Sequence, residues 1–408
     1  MNPSERLQRL AAALEVELSG NILPFWFQTM DRQGGGFFGL VTNDNAVDPS
    51  SPKGVVMHSR HLWASSSAWL ERRLPVDLTA ADHAYRFLSH QLRDHEGGGF
   101  WWTVDSRGKP EFENKVLYGQ AFAVYGLSQY YRAAGNRAAL DLALDTFHLL
   151  EKTGRDQEYG GYYEAVDRRW TKPLVQALSD VDIPCSKSMN TNLHVLEALS
   201  SLYLACGLPE VREALESLLG VFERHILVTP EHLGLYFDRD WTPLTDHISY
   251  GHDVEASWLM TEAAQILYGH DLPEVHRNAA VRVARKTLEV LRVHGGSLPN
   301  ELHGGHLDTN RIWWVQAEAL VGMVNGWELT GETAFLDAAE GLWTFIDRFV
   351  ADRRGGDWFW QVNPRGEPDL SRPKGGLWKT SYHNGRACLE IIQRSRRANG
   401  GSGAGPHR

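Results

Sequence analysis

The sequence predicts an all-α fold, an (α/α)6 barrel or toroid with short Gly-rich hairpins at its rim. Three observations predict it. A Gly-rich aromatic turn recurs along the chain, amphipathic helical stretches lie between its copies, and a second set of helical stretches is small and polar rather than aliphatic.

The turn reads GGGFF at 34–38, GGGFW at 97–101, YGGYYE at 159–164, HLGLYF at 232–237, HGGHLD at 303–308 and RGGDWFW at 354–360. Six copies imply six units. Between them, apolar residues at three- and four-residue spacing, as in Leu7, Leu10, Leu14 and Leu18 or Leu215, Leu218, Phe222 and Ile226, define one buried stripe per helix. These are the outer helices. The partner helices mix small residues with His, Asn, Glu, Arg and Trp, and their starts are placed near Ser59, Val116, Met189, Asp253, Trp313 and Tyr382. Alternation of the two kinds gives an inner ring whose ends line a funnel and an outer ring facing water. No stretch resembles a linker, so residues 1–396 are expected to form a single barrel domain and the Gly/Ser-rich 397–408 a disordered tail.

Composition narrows the function. The 408 residues are 42% hydrophobic and 23% charged, enough to bury a sizeable core and unlike a disordered chain. The net charge of -10 is spread along the sequence without a run of Lys or Arg, so no nucleic-acid partner is expected. Nothing reaches the roughly 18 consecutive apolar residues of a spanning helix, and the N-terminal stretch interleaves charges through its apolar positions, unlike a signal peptide. No membrane partner and a cytoplasmic location are expected. Cys185, Cys206 and Cys388 lack disulfide or zinc-site spacing and read as reduced thiols. Fifteen tryptophans suit a pocket that stacks on a polar ligand, although helix interfaces use tryptophan too.

The chemistry must come from polar groups near the N-terminal ends of the inner helices, which converge on one mouth if those helices run roughly parallel. Asn190 and His194 share a helical face, with Glu197 a further turn along. His252 and Glu255 are three apart, Trp314 and Glu318 four apart. Arg60, Tyr118, Trp378 and His383 open the remaining segments. Each has an ordinary alternative. A lone histidine is more often a hydrogen-bonded structural residue, a buried glutamate often pairs with an arginine, and Trp63, Trp258 and Trp313 read as helix-contact fillers. Glu197 reads as structural, and His58, His61 and His306 have no assigned role. Three histidines with a His-x-x-Glu pair are a workable zinc or manganese set, but no HExxH or second paired-ligand helix accompanies them, and no metal is expected. Asp253 and Glu318 are the pair a glycoside hydrolase on this scaffold would use, and a non-catalytic sugar binder would need only the tryptophans.

The segments RHLWASSS, KVLYGQAFAVYGL, KSMNTNLHVLEAL, SYGHDVEASWLM, WWVQAEALVG and KTSYHNGRACLE resemble those of cellobiose 2-epimerases, within the N-acylglucosamine 2-epimerase superfamily, from about Phe25 to Ile392. The resemblance implies an (α/α)6 barrel without an added cofactor, acting at C2 of the reducing-end sugar of β-1,4-linked disaccharides such as cellobiose. By position it makes His252 and His383 the acid/base pair and His194 a sugar-contacting or ring-opening histidine. Arg60, Tyr118 and Asn190 match contacts to the reacting sugar, Glu255 and Glu318 orienting carboxylates, and Trp314 and Trp378 sugar platforms. Asn192 departs from the pattern, where His is expected more often, and this puts fine substrate preference in doubt. A mannobiose or free-mannose 2-epimerase is the nearest alternative, and a monomer or weak homodimer is expected.

These residue types fit the chemistry that follows. A C2 proton is acidic only once the ring has opened to a C1 aldehyde. Imidazoles serve as acid and base near neutral pH. The enediolate left by deprotonation needs a preorganised cation or donor, a role for Arg60 with Tyr118 or Asn190. No dinucleotide fingerprint is present, and the chemistry requires no redox cofactor.

Overall fold

The computed structural model describes residues 2–398 and 400. An inner ring consists of α3 (Val55–Arg72), α5 (Leu117–Ala134), α7 (Met189–Cys206), α9 (Tyr250–Tyr268), α11 (Trp313–Thr330) and α13 (His383–Ala398). Each packs on the next, and α13 closes the ring on α3. The outer helices are α4 (Pro75–His90), α6 (Arg137–Leu149), α8 (Pro209–Val221), α10 (Glu274–Val293) and α12 (Thr333–Phe345). The sixth outer layer is α1 (Pro3–Glu17), which runs through a π-helical turn at Leu18–Ile22 into α2 (Leu23–Gln28). This is the (α/α)6 barrel that the alternating texture predicts. Among the described residues, no helix is long and apolar enough to cross a membrane.

The outer stripes behave as expected: Leu7, Leu14, Leu18, Leu215, Phe222 and Ile226 have no solvent exposure. The inner helices are buried nearly all round over their first four turns, so their polar residues face either the hairpins or the central pocket. Two starts differ from expectation by about one turn, at Val55 rather than Ser59 and at Tyr250 rather than Asp253. The first turn of each is largely buried like the rest of the helix, Val55 and Met57 being plain core residues, so no change of texture marks where it begins. At the other end, Arg397 and Ala398, expected in the tail, are the last residues of α13. The remaining tail except Gly400 lies outside the described residues.

The rim is built by one device used repeatedly. The Gly-rich turns are short hairpins, bridged at Met30–Phe37, Arg93–Phe100, Arg155–Tyr162 and Ala351–Trp358. A polar side chain on the first turn of each inner helix then clamps the neighbouring hairpin. His58 Nε2 accepts from the Phe37 N–H at 3.0 Å, and Gln120 Oε1 from the Phe100 N–H at 2.8 Å. Asn192 Oδ1 accepts from Tyr162 at 2.8 Å, Asp253 Oδ1 from Leu233 at 2.9 Å and Gln316 Oε1 from Leu298 at 2.9 Å. In the sixth unit, Asn384 Nδ2 donates to Asp357 Oδ1 at 2.7 Å. These bonds satisfy turn groups that water cannot reach. They also explain the glycines: a Cβ on Gly36, which has φ +67, would stand 2.2 Å from His58 Nε2.

The clamps correct one repeat assignment. Gln316 grips the turn at Gly295–Leu298, so HGGHLD at 303–308 is not the fifth copy but the tip of an added hairpin of Glu301–His303 with His306–Asp308. Beneath four hairpins a buried lysine meets an aspartate, Lys53 with Asp31 at 2.7 Å, Lys115 with Asp94 at 2.8 Å, Lys187 with Asp156 at 3.0 Å and Lys379 with Asp357. Short strand pairs such as Lys53–Gly54 with Thr103–Val104 stitch each unit to the next.

Candidate active site

The clamps give the six inner helices a common register. Two residues beyond each clamp stand Arg60, Phe122, His194, Glu255, Glu318 and Arg386, one side chain per helix, all at the centre of the ring. One residue before the clamp, α9 and α13 carry His252 and His383. The three histidines are therefore not at equal depth. His252 and His383 share a level and His194 lies one helical turn below them.

His252 and His383 stand on either side of Trp314, with ring centroids 4.7 and 5.7 Å from the indole. Their Nδ1 atoms are both occupied, His252 by Ser249 Oγ at 2.8 Å and His383 by Glu318 Oε1 at 2.6 Å. Nε2 of each ring is left for proton transfer. Burial, with His194 and His247 nearby, pushes His252 down to about 3. Burial and the Arg60 and Arg386 guanidiniums hold His383 well below the usual imidazole range. Both rings are thus neutral at pH 7, the form in which an imidazole takes up a proton.

Arg60, 3% exposed, is fixed by its neighbours. Its Nη2 donates to Tyr118 Oη at 2.9 Å, its Nη1 to the Trp378 carbonyl at 2.5 Å, and the guanidinium lies 4.6 Å from the Phe122 ring. Burial raises the Tyr118 hydroxyl above its usual range, so it stays a neutral donor. Trp378 packs edgewise on Trp102 and tilts against Tyr118, each at 5.8 Å. Asn190 and His252 line a cavity of about 320 Å³ with Glu164, Asp182, Ser188 and Tyr236. Asn190 Oδ1 has no hydrogen-bond partner there.

Below the pocket floor runs a charge network. His194 Nδ1 lies 2.9 Å from Glu197 Oε2, and Glu197 Oε1 accepts from Tyr382 Oη at 2.5 Å and from Arg386. Arg386 also donates to Glu255 and, at 2.7 Å, to Glu318, which accepts from Trp258 Nε1 at 3.0 Å. Burial opposes charge on every carboxyl. At Glu197, Arg386 and His194 overcome it and bring the group down to about 2. At Glu255, burial and the adjacent Glu318 carry it up to about 7. At Glu318, burial outweighs Arg386 and raises the group. Among the described residues, Glu255, Glu318 and His383 form one trio with ligand atoms within 4.8 Å of one another, but the Arg386 guanidinium already serves both carboxylates. That donor set holds a cation of its own and suits a metal poorly.

Of the ten residues singled out from the sequence, Asn190 and His252 line the cavity, and the others are joined to His252 and to one another through the contacts of Trp314, His383, Arg386 and Arg60. Three further residues belong to the arrangement. Arg386 and Tyr382 were missed, and Glu197 has the structural role expected of it, as a buried carboxylate that holds His194 and pairs with Arg386. Trp258 fills a helix contact, as expected, and its indole N–H also donates to Glu318. Asp253 is turned away from the pocket, accepting from His232 at 2.7 Å and from Leu233, which removes half of the hydrolase pair. His58 clamps a hairpin, His61 stacks on Phe37 at 3.9 Å, and His306 is exposed on the added hairpin. Asn192, whose departure put substrate preference in doubt, is another clamp with no pocket contact.

Known proteins bear on this arrangement. The chain is 40% identical to a cellobiose 2-epimerase of Dictyoglomus turgidum over 95% of this chain and 99% of that protein. It is 38% identical to one of Ruminococcus albus over 94% and 99%. The structure superposes on that of cellobiose 2-epimerase from Spirochaeta thermophila with a TM-score of 0.93 and 48% identity, covering 96% of this chain and 98% of that one. The profile of N-acylglucosamine 2-epimerase (GlcNAc 2-epimerase) matches residues 36–387. The chain belongs to the N-acylglucosamine 2-epimerase family.

Proposed function

We propose that this protein is a carbohydrate isomerase, a 2-epimerase that interconverts the glucose and manno configurations at C2 of the reducing-end unit of a β-1,4-linked disaccharide such as cellobiose. One observation carries the reading. Two neutral imidazoles at the same register, His383 buried and His252 half-buried, flank Trp314, and each has Nδ1 engaged and Nε2 available.

Ring opening comes first. A base takes the proton of the anomeric hydroxyl and an acid gives one to the ring oxygen, the C1–O5 bond breaks, and C1 becomes an aldehyde. His194, held by Glu197, assists this step. One imidazole of the pair then removes the C2 proton; the C2–H electrons form the C1–C2 double bond and O1 becomes an alkoxide. Arg60 stabilises that oxygen, with Tyr118 or Asn190 donating beside it. Proton delivery to the opposite face of C2, the other member of the pair taking part, restores C1=O and inverts the centre. The roles exchange in reverse. Trp314 and Trp378 offer apolar faces to the sugar, and Glu255 and Glu318 orient the groups around it. The pair is unequal, because Glu318 can stabilise an imidazolium on His383 whereas Ser249 offers His252 only a hydroxyl.

In this reading residues 1–396 act as one catalytic unit, in the cytoplasm, as a monomer or weak homodimer, with no added cofactor. Incubation with cellobiose, mannobiose, mannose and glucose, followed by sugar chromatography, tests the proposal. The expected result is conversion of cellobiose to glucosyl-mannose faster than conversion of the monosaccharides. Mannobiose or mannose as the preferred substrate moves the assignment within the family. Release of monosaccharide from cellobiose, or no conversion of any sugar, overturns it.

A further inference from the structure

Arg386 stands two residues beyond the Asn384 clamp, at the level of Arg60, His194, Glu255 and Glu318. Its side chain is 1% exposed, and the guanidinium packs on the rings of Tyr382 at 4.4 Å and Trp258 at 4.8 Å. One fork reaches Glu197 and Tyr382 Oη, the other Glu255 and Glu318. Two of these carboxylates carry the histidines on their outer oxygen or share one with them, Glu197 holding His194 and Glu318 holding His383.

One cation therefore serves three buried carboxylates. Arg60, the other guanidinium of the centre, is engaged by Tyr118 and the Trp378 carbonyl instead. A buried carboxylate without its cation takes up a proton rather than stay charged, and a protonated Glu318 or Glu197 no longer requires the Nδ1–H tautomer of its histidine. A lysine could supply the charge but not two planar forks aimed at carboxylates on three helices.

We infer that Arg386 is a positioning residue for the epimerisation: its guanidinium keeps Glu197 and Glu318 ionised and oriented, and through them sets the tautomers of His194 and His383. This rests on the 2-epimerase reading above. Arg386 touches the sugar in no step; it acts through the two carboxylates.

The test compares Arg386→Gln and Arg386→Lys with the wild-type protein, measuring kcat and KM for cellobiose from pH 5 to 9 and cooperative thermal unfolding of each variant. Removal of the cation raises the pKa of every acid and imidazole near it, so the acid limb of the kcat profile of Arg386→Gln is expected to move to higher pH. Arg386→Lys keeps the charge and the position of the limb but loses the forks, with kcat down by about a hundredfold and KM within about threefold. A folded Arg386→Gln with an unmoved acid limb, or Arg386→Lys with wild-type kcat, overturns the inference. If Arg386→Gln does not fold, the lysine variant decides alone; if neither folds, the residue is structural and the inference also falls. A wild-type protein that converts no sugar removes the epimerase reading itself, an outcome visible before any variant is compared.

Discussion

Glu318 Oε1 lies 2.6 Å from His383 Nδ1, whereas the matching nitrogen of His252 meets only the Ser249 hydroxyl at 2.8 Å. Two imidazoles at one level of the barrel thus have different capacities to hold a positive charge. Glu318→Gln is expected to lower kcat by about 10²- to 10⁴-fold, through loss of the carboxylate and of the enforced tautomer. Ser249→Ala is expected to cost distinctly less. Steady-state kinetics on the two variants checks this, and equal losses would contradict the asymmetry.

Asn192 and His58 occupy the same place in two repeats, each accepting from the backbone N–H of a hairpin aromatic. Asn192→His is therefore expected to fold and to leave the ratio of rates on cellobiose, mannobiose and mannose unchanged within about threefold. A changed ratio would return position 192 to the substrate pocket.

The clamps also predict an acid sensitivity. Burial holds the His58 imidazole near 3, below its ordinary 6.5, with a bond to the Gly54 carbonyl opposing. Above pH 6.5 neither state is protonated and full stability is present. As the pH falls from 6.5 towards 3 the unfolded chain takes up a proton that the folded one refuses, so stability is lost. His58→Gln, which installs the residue that does this work at Gln120 and Gln316, is expected to remove on the order of 3 kcal/mol of that loss at pH 4. Urea unfolding at pH 4 and pH 7 measures it, and an equal pH dependence in both proteins would contradict it.

These repeats explain what was legible in the sequence and what was not. The outer helices declared themselves through Leu7, Leu14, Leu215 and Phe222, because one buried stripe on a solvated helix gives a clear period. The inner starts at Val55 and Tyr250 did not, since a helix buried on all sides has no stripe to show where it begins. His252, His383 and Arg60 were found because such residues are conspicuous among small neighbours. Arg386 sat unremarked in KTSYHNGRACLE, where a helical arginine reads as a surface cation. A signal did exist: it stands as far beyond Asn384 as Arg60 does beyond His58, but the register was visible only once the hairpins showed which residues are clamps. The same absence of hairpin partners let HGGHLD pass as a repeat.

His252→Ala and His383→Ala are each expected to abolish turnover and leave cooperative thermal unfolding in place, since neither ring clamps a hairpin. Near-normal activity in either variant would remove that histidine from the mechanism. Dialysis against a chelator is expected to leave the wild-type rate unchanged, because Arg386 already supplies the cation between Glu255 and Glu318.

The central claim is that the C2 proton leaves the sugar for a protein base and that a proton returns from the opposite face. Turnover of cellobiose in D2O, followed by NMR of the recovered sugars, tests it most directly. The account predicts deuterium at C2 in both the substrate and the epimer pools, at rates that fall together in the His252 and His383 variants. Epimer that forms at the full rate without any solvent deuterium at C2 would contradict exchange through two solvent-connected imidazoles.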